Sequence, residues 1–401
     1  MRVLHVTPYF APAFCYGGPP RSVFALCSHL QRQGVEVEVV TTAANGADDL
    51  PASPSSGETY EGVRVRYLRR CFPRRFFGAA DLRTALHATL DRSDLVHIHG
   101  LWNIPVHAAA TAARRRGVPY VISPRGMLQP TNLARGRIRK AAAFRLFERT
   151  NLAGASLLHA TSPEEADGLE RLGLGVPVAM VPNGVDEPEA VSAVASFRRT
   201  HNLPVEAPLI VALGRIHPVK RLDLLFAAFA RMLPASPEAR LVIAGPDEGG
   251  HAAELRRRCG PEGRKMIWTG HLAPREKWGL LAEASVVAMC SDSESFGLSL
   301  AEAMSAAVPV VVTKTCPWED VERFGAGLRV DQNVEAIATA LLTMVSDRDA
   351  SREMGRRGRD LVRSRYAWNS IAETMAAHYA EVFSTQDRRL RTPRPVSSEA
   401  R

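Results

Sequence analysis

The chain runs through one pattern twice: short apolar strands, each followed by a turn and a helix. Residues 3–6 are a short apolar run, and Val23, Leu26, Cys27 and Leu30 then fall at i, i+3, i+4 and i+7, one face of a helix. Gly34 ends that helix, and residues 35–41 alternate as a strand does. Residues 95–98 and 120–123 read as further strands with helical sequence between them. The order restarts after Pro182-Asn183-Gly184. Residues 209–213, 240–244, 266–269, 285–289 and 309–313 read as strands, and Leu222, Leu225, Phe226 and Phe229 repeat the helical spacing. Strands alternating with helices imply a parallel sheet covered by helices. The expected fold class is therefore α/β, with two doubly wound, Rossmann-like halves facing across a cleft. Open parallel sheets bind ligands at the carboxyl ends of their strands, so two such edges would share one site.

Length agrees with two halves, because 401 residues exceed one ordinary core. Hydrophobic residues make up 46% and charged residues 23%, a globular balance. The longest apolar runs, such as 284–290, fall short of a membrane span, and the first six residues read as a strand rather than a signal peptide. The six cysteines (15, 27, 71, 259, 290, 316) have no CxxC spacing, so no disulfide framework or zinc site is expected, and a reducing cytoplasm is. Residues 45–59 read as a mobile loop and residues 386–401 as a disordered tail. The net charge is +9, yet residues 62–150 hold 18 Lys/Arg against 4 Asp/Glu, a balance of +14 that leaves −5 for the rest. Such a basic half suits an anionic partner surface, or simply solubility.

Two constellations in the second half could carry chemistry. The strand at 209–213 runs into Gly214-Arg215-Ile216-His217-Pro218-Val219-Lys220, with a helix after it. Gly214 permits a tight turn, and Arg215 and Lys220 place cations beside a helix N-terminus. That combination can cradle a diphosphate and stabilise it as a leaving group without a metal; a solvated loop with two surface cations fits the same letters. Further on, Glu294-Ser295-Phe296-Gly297-Leu298 precedes Ser299-Leu300-Ala301-Glu302. Gly297 lets a backbone approach a ligand, and the two carboxylates could hold sugar and ribose hydroxyls; a helix-capping acid and a surface acid remain the alternative.

Glu294 and Glu302, eight apart, resemble the E-x7-E signature of retaining GT-B glycosyltransferases. Gly214-Arg215 with Lys220 resembles their G-R-x-x-x-x-K signature, Val181-Pro182-Asn183-Gly184-Val185-Asp186 their interdomain turn, and Gly17-Gly18 their N-terminal glycine loop. The chain is thus similar to glycosyltransferase family four over nearly its whole length. The resemblance implies a hexosyltransferase with residues 1–188 binding the acceptor, 189–365 binding the nucleotide-sugar, and a terminal helix, 366–385, crossing back to the first half. Its face would carry Trp368, Ile371, Met375 and Tyr379. Arg215 and Lys220 would bind the donor diphosphate, Glu302 the ribose and Glu294 the transferred sugar. The amides of Phe296, Gly297 and Leu298 would meet sugar or phosphate, and Gly17 and Gly18 would let the backbone approach the donor or acceptor. The base pocket is expected around Gly245-Pro246 and Thr269-Gly270-His271-Leu272, for uracil or guanine.

His97-Ile98-His99-Gly100 looks like the family's H-x-H segment, whose second histidine faces the sugar. His99 is accordingly expected to donate to a sugar hydroxyl or orient the acceptor, and His97 to be structural. Ser123-Pro124-Arg125-Gly126 resembles a stretch of the branch linked to bacterial surface-polysaccharide assembly, where Arg125 would meet an anionic acceptor or a donor phosphate. Thr161-Ser162-Pro163-Glu164-Glu165 fits both an interdomain segment and a helix N-cap. The sequence departs from the family at Ser295 and at Ala306-Ala307-Val308, where glycines are usual.

The implied reaction moves a sugar with retention from a UDP- or GDP-sugar to a saccharide or lipid-linked saccharide. No cofactor and no metal are expected, since no Asp-x-Asp sits at a strand end. A sugar-nucleotide epimerase or a phosphorylase would share the architecture. A basic nucleic-acid-binding protein is the non-enzymatic alternative, disfavoured by 6% aromatics, and no nucleic-acid partner is expected. Residues 133–149 mix Leu133, Ile138, Phe144 and Phe147 with cations. They could lie on an anionic inner membrane face as a peripheral contact, or form a solvated helix face.

Overall fold

The computed structural model describes residues 1–53, 57–134, 136–188, 196–247 and 249–391. The chain divides into two compact units, Met1–Val181 with Ile371–Arg401, and Pro182–Ser370. The division falls before residue 188 because the connecting segment is already tied into the second unit. Val185 bridges to Ala367, and Ser305 Oγ donates to the Asp186 carbonyl at 2.9 Å.

The first unit holds an eight-stranded sheet. Its members are β1 (Arg2–Val6), β2 (Glu36–Thr42), β5 (Glu58–Tyr60), β6 (Val63–Leu68), β7 (Leu95–His99), β8 (Tyr120–Ser123), β9 (Leu157–Ala160) and β10 (Val178–Met180); β3 (Ala44–Asn45) and β4 (Asp48–Asp49) form a separate hairpin. The order is β10-β9-β8-β7-β1-β2-β6-β5, with every pair parallel except β5–β6. Side chains alternate between faces along a strand. Leu4, Val6, Val96, Ile98, Tyr120, Ile122 and Leu158 point into one apolar core, with helix Ile104–Arg116 contributing Val106, Ala109, Ala110 and Ala113. The same alternation sends His5, His97, His99 and His159 to the opposite face, which is also buried.

The loop expected at 45–59 is in part ordered. The guanidinium of Arg70 gathers it, donating to the carbonyls of Gly46 and Asp48 at 3.2 and 3.1 Å and pairing with the Asp49 carboxylate, which Arg74 also reaches at 3.1 Å. Residues 58–60 extend the sheet edge, and residues 54–56 of that segment lie outside the described residues.

The second unit is a six-stranded, wholly parallel sheet of β11 (Leu209–Leu213), β12 (Arg240–Ala244), β13 (Met266–Gly270), β14 (Val286–Met289), β15 (Val310–Thr313) and β16 (Gly327–Val330), ordered β13-β12-β11-β14-β15-β16. Its faces divide by strand parity. Leu209, Val211, Val242, Val287, Val310 and Val312 fill one core; Ile210, Leu241, Ile243, Val286, Ala288 and Val311 fill the other. Burying each such side chain contributes about 1.5–3 kcal/mol, which is why these strands read as continuous apolar runs. In each sheet the chain order reverses beside the first strand of the unit, β1 between β2 and β7, β11 between β12 and β14. Such reversals leave a crevice at the strands' carboxyl ends.

The terminal helix, Trp368–Arg391, begins in the second unit and belongs to the first from Ile371 onward. Trp368, Ile371, Met375 and Tyr379 are all buried. A methyl group at Gly184 would lie 2.3 Å from the Trp368 indole, so that position takes no side chain. The helix continues through 386–391, where the sequence suggested a disordered tail, and Gln386 Nε2 donates to the Gly117 carbonyl at 3.2 Å. Residues 392–401 of that expected tail lie outside the described residues.

Helix Leu298–Ser305 ends in a Schellman motif: Val308 N donates to Ala303 O at 3.0 Å and Ala307 N to Met304 O at 2.8 Å. Ala307 occupies its left-handed position, at φ +58. A methyl on Gly355 would sit 2.0 Å from the Ala307 carbonyl oxygen. Two opposite effects follow. Ala307→Gly relieves left-handed strain and stabilises the protein by about 0.5–1 kcal/mol. Gly355→Ala, despite alanine's better helix propensity, destabilises it by about 1–3 kcal/mol through backbone overlap. Denaturant melts of the two variants check both signs.

Candidate functional site

At the carboxyl edge of the second unit, three adjacent strands end in glycines with positive φ: Gly214 (+137) after β11, Gly245 (+153) after β12 and Gly270 (+68) in β13. Gly214 N donates to Ala244 O and Gly245 N to Gly270 O, at 2.9 and 2.8 Å. A methyl at Gly245 would lie 1.9 Å from Gly214 O, so these turns close only without side chains. Residues 214–220 then fold into a tight turn whose last residues, Pro218–Lys220, are capped by His217 Nδ1 accepting from Val219 N at 3.2 Å.

Asp292 fixes this turn to the loop after β14. Its amide donates to Val219 O at 2.8 Å, and its carboxylate accepts from Arg221 and from Gln332, each at 3.1 Å. The result sets Lys220 Nζ 2.5 Å from Glu294 Oε1, an oxygen that also accepts from Ser291 Oγ at 2.6 Å. Both partners of the ion pair are largely buried. Arg215 is half-buried next to Gly214.

Gly297, at φ +83, caps helix Leu298–Ser305. The Trp318 indole N–H donates to the Phe296 carbonyl, and a methyl at Gly297 would lie 2.9 Å from that nitrogen. The Phe296 ring packs on Trp318 and Tyr366 with centroids 5.2 and 5.5 Å apart. These contacts pin the segment that leads into the helix, whose first amides carry partial positive charge. Glu302, one turn in, pairs with Lys277 at 2.7 Å. Lys277 escaped the sequence reading because no motif letter marks it; the buried Glu302 carboxylate, which needs a cation, was the available signal. Thr269 Oγ1 donates to Gly270 O at 3.0 Å, and His271 is exposed. The second unit thus gathers Gly214, Arg215, Lys220, Glu294, Phe296, Gly297, Leu298 and Glu302 at one sheet edge beside Thr269, Gly270 and His271.

In the first unit Gly17 (φ +86) caps helix Gly18–Arg32, and a methyl at Gly18 would meet nothing within 4 Å. The buried face of the sheet holds four histidines in two hydrogen-bonded chains. A guanidinium only donates, so Arg125 Nη2 at 3.2 Å makes His99 Nδ1 an acceptor. His99 therefore carries its proton on Nε2 and donates it to His5 Nδ1 at 3.0 Å. The Val181 carbonyl accepts from His159 Nε2 at 2.7 Å; His159 Nδ1 accepts from His97 Nε2 at 3.3 Å, and His97 Nδ1 accepts from the Tyr379 hydroxyl at 2.6 Å.

This arrangement needs neutral rings. Burial, reinforced by the charge of Arg125, pushes His5 and His159 down to about 3 and holds His97 and His99 well below the usual imidazole value. Burial likewise keeps the Tyr379 hydroxyl protonated and lowers Arg125 to about 10, leaving it cationic at neutral pH. His5, His97 and His99 bring ring nitrogens within 4.8 Å of one another, as a metal site would. The hydrogen bonds, however, assign the acceptor nitrogen of each of these rings to a protein donor.

His99, expected to face a sugar, is 2% exposed and engages both ring nitrogens within the protein, whereas Arg125 keeps part of its surface. Arg125 stands at φ +56, held by its neighbour: Gly126 N donates to Glu165, whose other oxygen accepts from Thr161 N and Oγ1, each at 2.8 Å. Ser162 caps the helix that carries Glu165. The segment 161–165 is therefore an N-cap whose second acid, Glu165, anchors the Arg125 turn. His5, His159 and Tyr379 were not singled out from the sequence as polar groups; strand parity, with a histidine on the same face of β1, β7 and β9, was the available signal.

Two parallel sheets, with a glycine-lined, cation-bearing turn facing a helix N-terminus in the second, define a sugar transferase of the GT-B class. Comparison with known proteins bears this out. Residues 17–184 match the Glycosyl transferase 4-like domain and residues 194–361 match Glycosyl transferases group 1. The D-inositol 3-phosphate glycosyltransferase of Xylanimonas cellulosilytica is 30% identical over 95% of this chain and 96% of its own. The GDP-mannose:cellobiosyl-diphosphopolyprenol alpha-mannosyltransferase of Komagataeibacter xylinus is 27% identical over 95% of this chain and 93% of its own. Among solved structures, Anabaena HepE in complex with UDP and glucose superposes with a TM-score of 0.72 at 19% identity, over 95% of this chain and all of that one. The chain belongs to the group 1 glycosyl transferases, family four of the retaining GT-B enzymes. It is a glycosyltransferase that takes its sugar from a nucleotide-sugar.

The histidine chains set a pH dependence. An unfolded imidazole takes up a proton below about 6.5, while the folded rings do not. The unfolded state then binds more protons, so stability falls as pH drops from about 6.5 towards 3, by up to about 1.4 kcal/mol per pH unit for each ring. His159→Gln removes one of these rings. Unfolding free energies between pH 7 and 5 should decline less steeply in that variant than in the parent; equal slopes would contradict the neutral assignment.

Proposed function

We propose that the second unit binds the donor as a UDP- or GDP-sugar without a metal, and that the sugar passes with retention to a hydroxyl of a saccharide or lipid-linked saccharide. The observation that carries this is the Lys220–Glu294 pair beside the glycine turn and the N-terminus of helix Leu298–Ser305. An incoming diphosphate competes with Glu294 for the Lys220 ammonium. It draws that cation and Arg215 onto its oxygens, together with the amides near Gly297 and Leu298. Glu294, released from Lys220, is then available to sugar hydroxyls. Glu302, with Lys277 at its side, takes the ribose, and Thr269, Gly270 and His271 border the base.

The chemistry follows from charge placement. As the anomeric C–O bond breaks, negative charge grows on the diphosphate, where Arg215, Lys220 and the helix amides already stand. The sugar gains oxocarbenium character. The acceptor oxygen bonds to the anomeric carbon on the face the diphosphate leaves, and its proton passes to the departing diphosphate oxygen. In the first unit, Arg125 is the cation that meets an anionic acceptor or a donor phosphate, with His99 fixing its direction, and Gly17 and Gly18 leave room for close backbone approach. HepE is titled as a complex with UDP and the Komagataeibacter relative is named for GDP-mannose, which supports those two donor bases. A pathway assembling bacterial surface polysaccharide or glycoconjugate suits the same relative's diphosphopolyprenol acceptor. Among the described residues no helix is long and apolar enough to cross a membrane. We assign the enzyme to the cytoplasmic side, with residues 133–149 as a peripheral contact to anionic lipid; Arg135 of that stretch lies outside the described residues.

A thermal-shift panel of UDP, GDP, ADP and their sugar conjugates, with and without EDTA, tests the donor site. One base should stabilise the protein by roughly 2.7 kcal/mol at about 100 times its dissociation constant, undiminished by EDTA. Lys220→Ala should abolish the shift and lower kcat/KM about 10²–10³-fold. A shift that needs a divalent ion, or that survives Lys220→Ala, would count against the reading. The anomeric configuration of the product, read by NMR, checks retention.

A further inference from the structure

The first unit contains a cavity of about 510 Å³ whose lining includes none of the histidine–Arg125 network, and part of which is the basic stretch 133–149 assigned above to lipid contact. Its walls are Phe76, Trp102, Ile104, Ala143 and the ring of Phe147, and the cations Arg75, Arg139 and Lys140 border it. That volume lies within the range of small-molecule sites. Three segments form it: the turn at 74–76, residues 102–107 at the start of helix Ile104–Arg116, and the stretch from Gly136 to Glu148. Phe72, just before the first of these, is 92% exposed, and the last carries Ile138 at 87% and Leu146 at 68%. Large apolar side chains left in the open along segments that wall a cavity point to an interaction site.

A second observation points to a ligand with a polar group. Trp102 lines the cavity, and its buried indole Nε1 has no hydrogen-bond partner. Leaving such a donor unpaired costs about 1–3 kcal/mol. The residue also sits at φ +63, outside the range that suits a bulky side chain. It is held there by its own amide donating to Glu148 Oε1 at 2.7 Å, and by Asn103, which caps helix Ile104–Arg116. Glu148 is satisfied in turn by Asn151 Nδ2 at 3.1 Å, so the one carboxylate of the wall is already engaged. Strained, over-determined backbone of this kind clusters at ligand sites.

We propose that this cavity takes the hydrocarbon chain of a phosphate-bearing lipid, the carrier on which the acceptor saccharide is built. The chain packs against Phe76, Trp102, Ile104 and Phe147. The phosphate lies among Arg75, Arg139 and Lys140, and the Trp102 N–H donates to an oxygen of the same ligand. Charge selects the occupant: an uncharged lipid would bring no anion to the basic rim and no acceptor to the indole, and a soluble anion would leave the apolar walls empty. The exposed Phe72, Ile138 and Leu146 reach into the membrane that holds such a carrier. The inference rests on the lipid-linked acceptor proposed above and names the site that recognises its lipid.

The test is binding to the full chain, independent of turnover. Dodecyl phosphate, dodecyl maltoside and inorganic phosphate are titrated below their aggregation limits by calorimetry. Dodecyl phosphate should bind at least tenfold tighter than either of the others. Ala143→Trp, which fills the cavity, and Arg139→Glu, on an exposed position, should each weaken it at least tenfold, while the nucleotide thermal shift stays unchanged. Trp102→Phe should weaken it severalfold with the same fold retained. Equal affinity for the phosphate and maltoside head groups, or for inorganic phosphate, would overturn the proposal, as would an undiminished affinity in Arg139→Glu. Dodecyl phosphate binding without any nucleotide shift would leave the lipid site standing and remove the donor-site reading; a nucleotide shift without dodecyl phosphate binding would overturn the lipid site and leave the donor-site reading.

Discussion

A parallel sheet covered on both faces offers ligands nothing along its length. Strand interiors are committed to packing within the protein, apolar throughout the second unit and partly through hydrogen-bonded histidines in the first, and only the carboxyl ends, where turns leave the sheet, can present amides and charges to a ligand. Both units obey this constraint. In the second, Gly214, Gly245 and Gly270 close three neighbouring strand ends at positive φ, and at Gly245 a methyl would overlap the Gly214 carbonyl. The absence of side chains there is what leaves backbone open to a ligand, and the loop after β14 supplies the carboxylate that would otherwise be missing from so basic a turn.

The two units place charge by different means. The second pairs it: Lys220 with Glu294 and Lys277 with Glu302, each pair largely buried. A buried pair of this sort adds little net stability, since desolvation offsets attraction. On the donor reading proposed above, its worth is that the side chains stand ready to exchange partners when a diphosphate arrives. The first unit instead removes charge. Four buried imidazoles stay neutral, and their directional hydrogen bonds transmit one fixed orientation from Tyr379 through His97 to His159, and from Arg125 through His99 to His5. The only cation in that network, Arg125, is thereby aimed rather than neutralised.

Much of this was legible in the letters. The strand runs of the second unit, the two-unit plan and the spacing of Glu294 and Glu302 all express local rules: apolar runs, turn glycines and helix periodicity. What remained hidden depends on residues brought together from afar. Tyr379 lies 282 positions from His97, and its hydroxyl is invisible in a helix that reads simply as apolar. Lys277 sits 25 positions before Glu302 on a different helix. Even His99, correctly placed at a strand end, has a direction set by Arg125 and His5 rather than by its own segment. The hairpin at 44–49 failed as a loop prediction for the same reason, because Arg70, just beyond the end of β6, gathers its carbonyls.

The two departures from the family's glycines have different physical weight. At Ala307 the backbone still adopts the left-handed turn that glycine favours, so the substitution costs strain without altering the path of the chain. Ser295 carries no such burden: no positive φ occurs there, and the bend falls on Gly297. A hydroxymethyl group at 295 therefore adds a polar contact next to Glu294 at no backbone expense. If donor specificity differs from that of relatives with glycine at this point, Ser295 is where the difference would be written, because the Glu294 carboxylate and the helix amides are otherwise held by the same turn geometry.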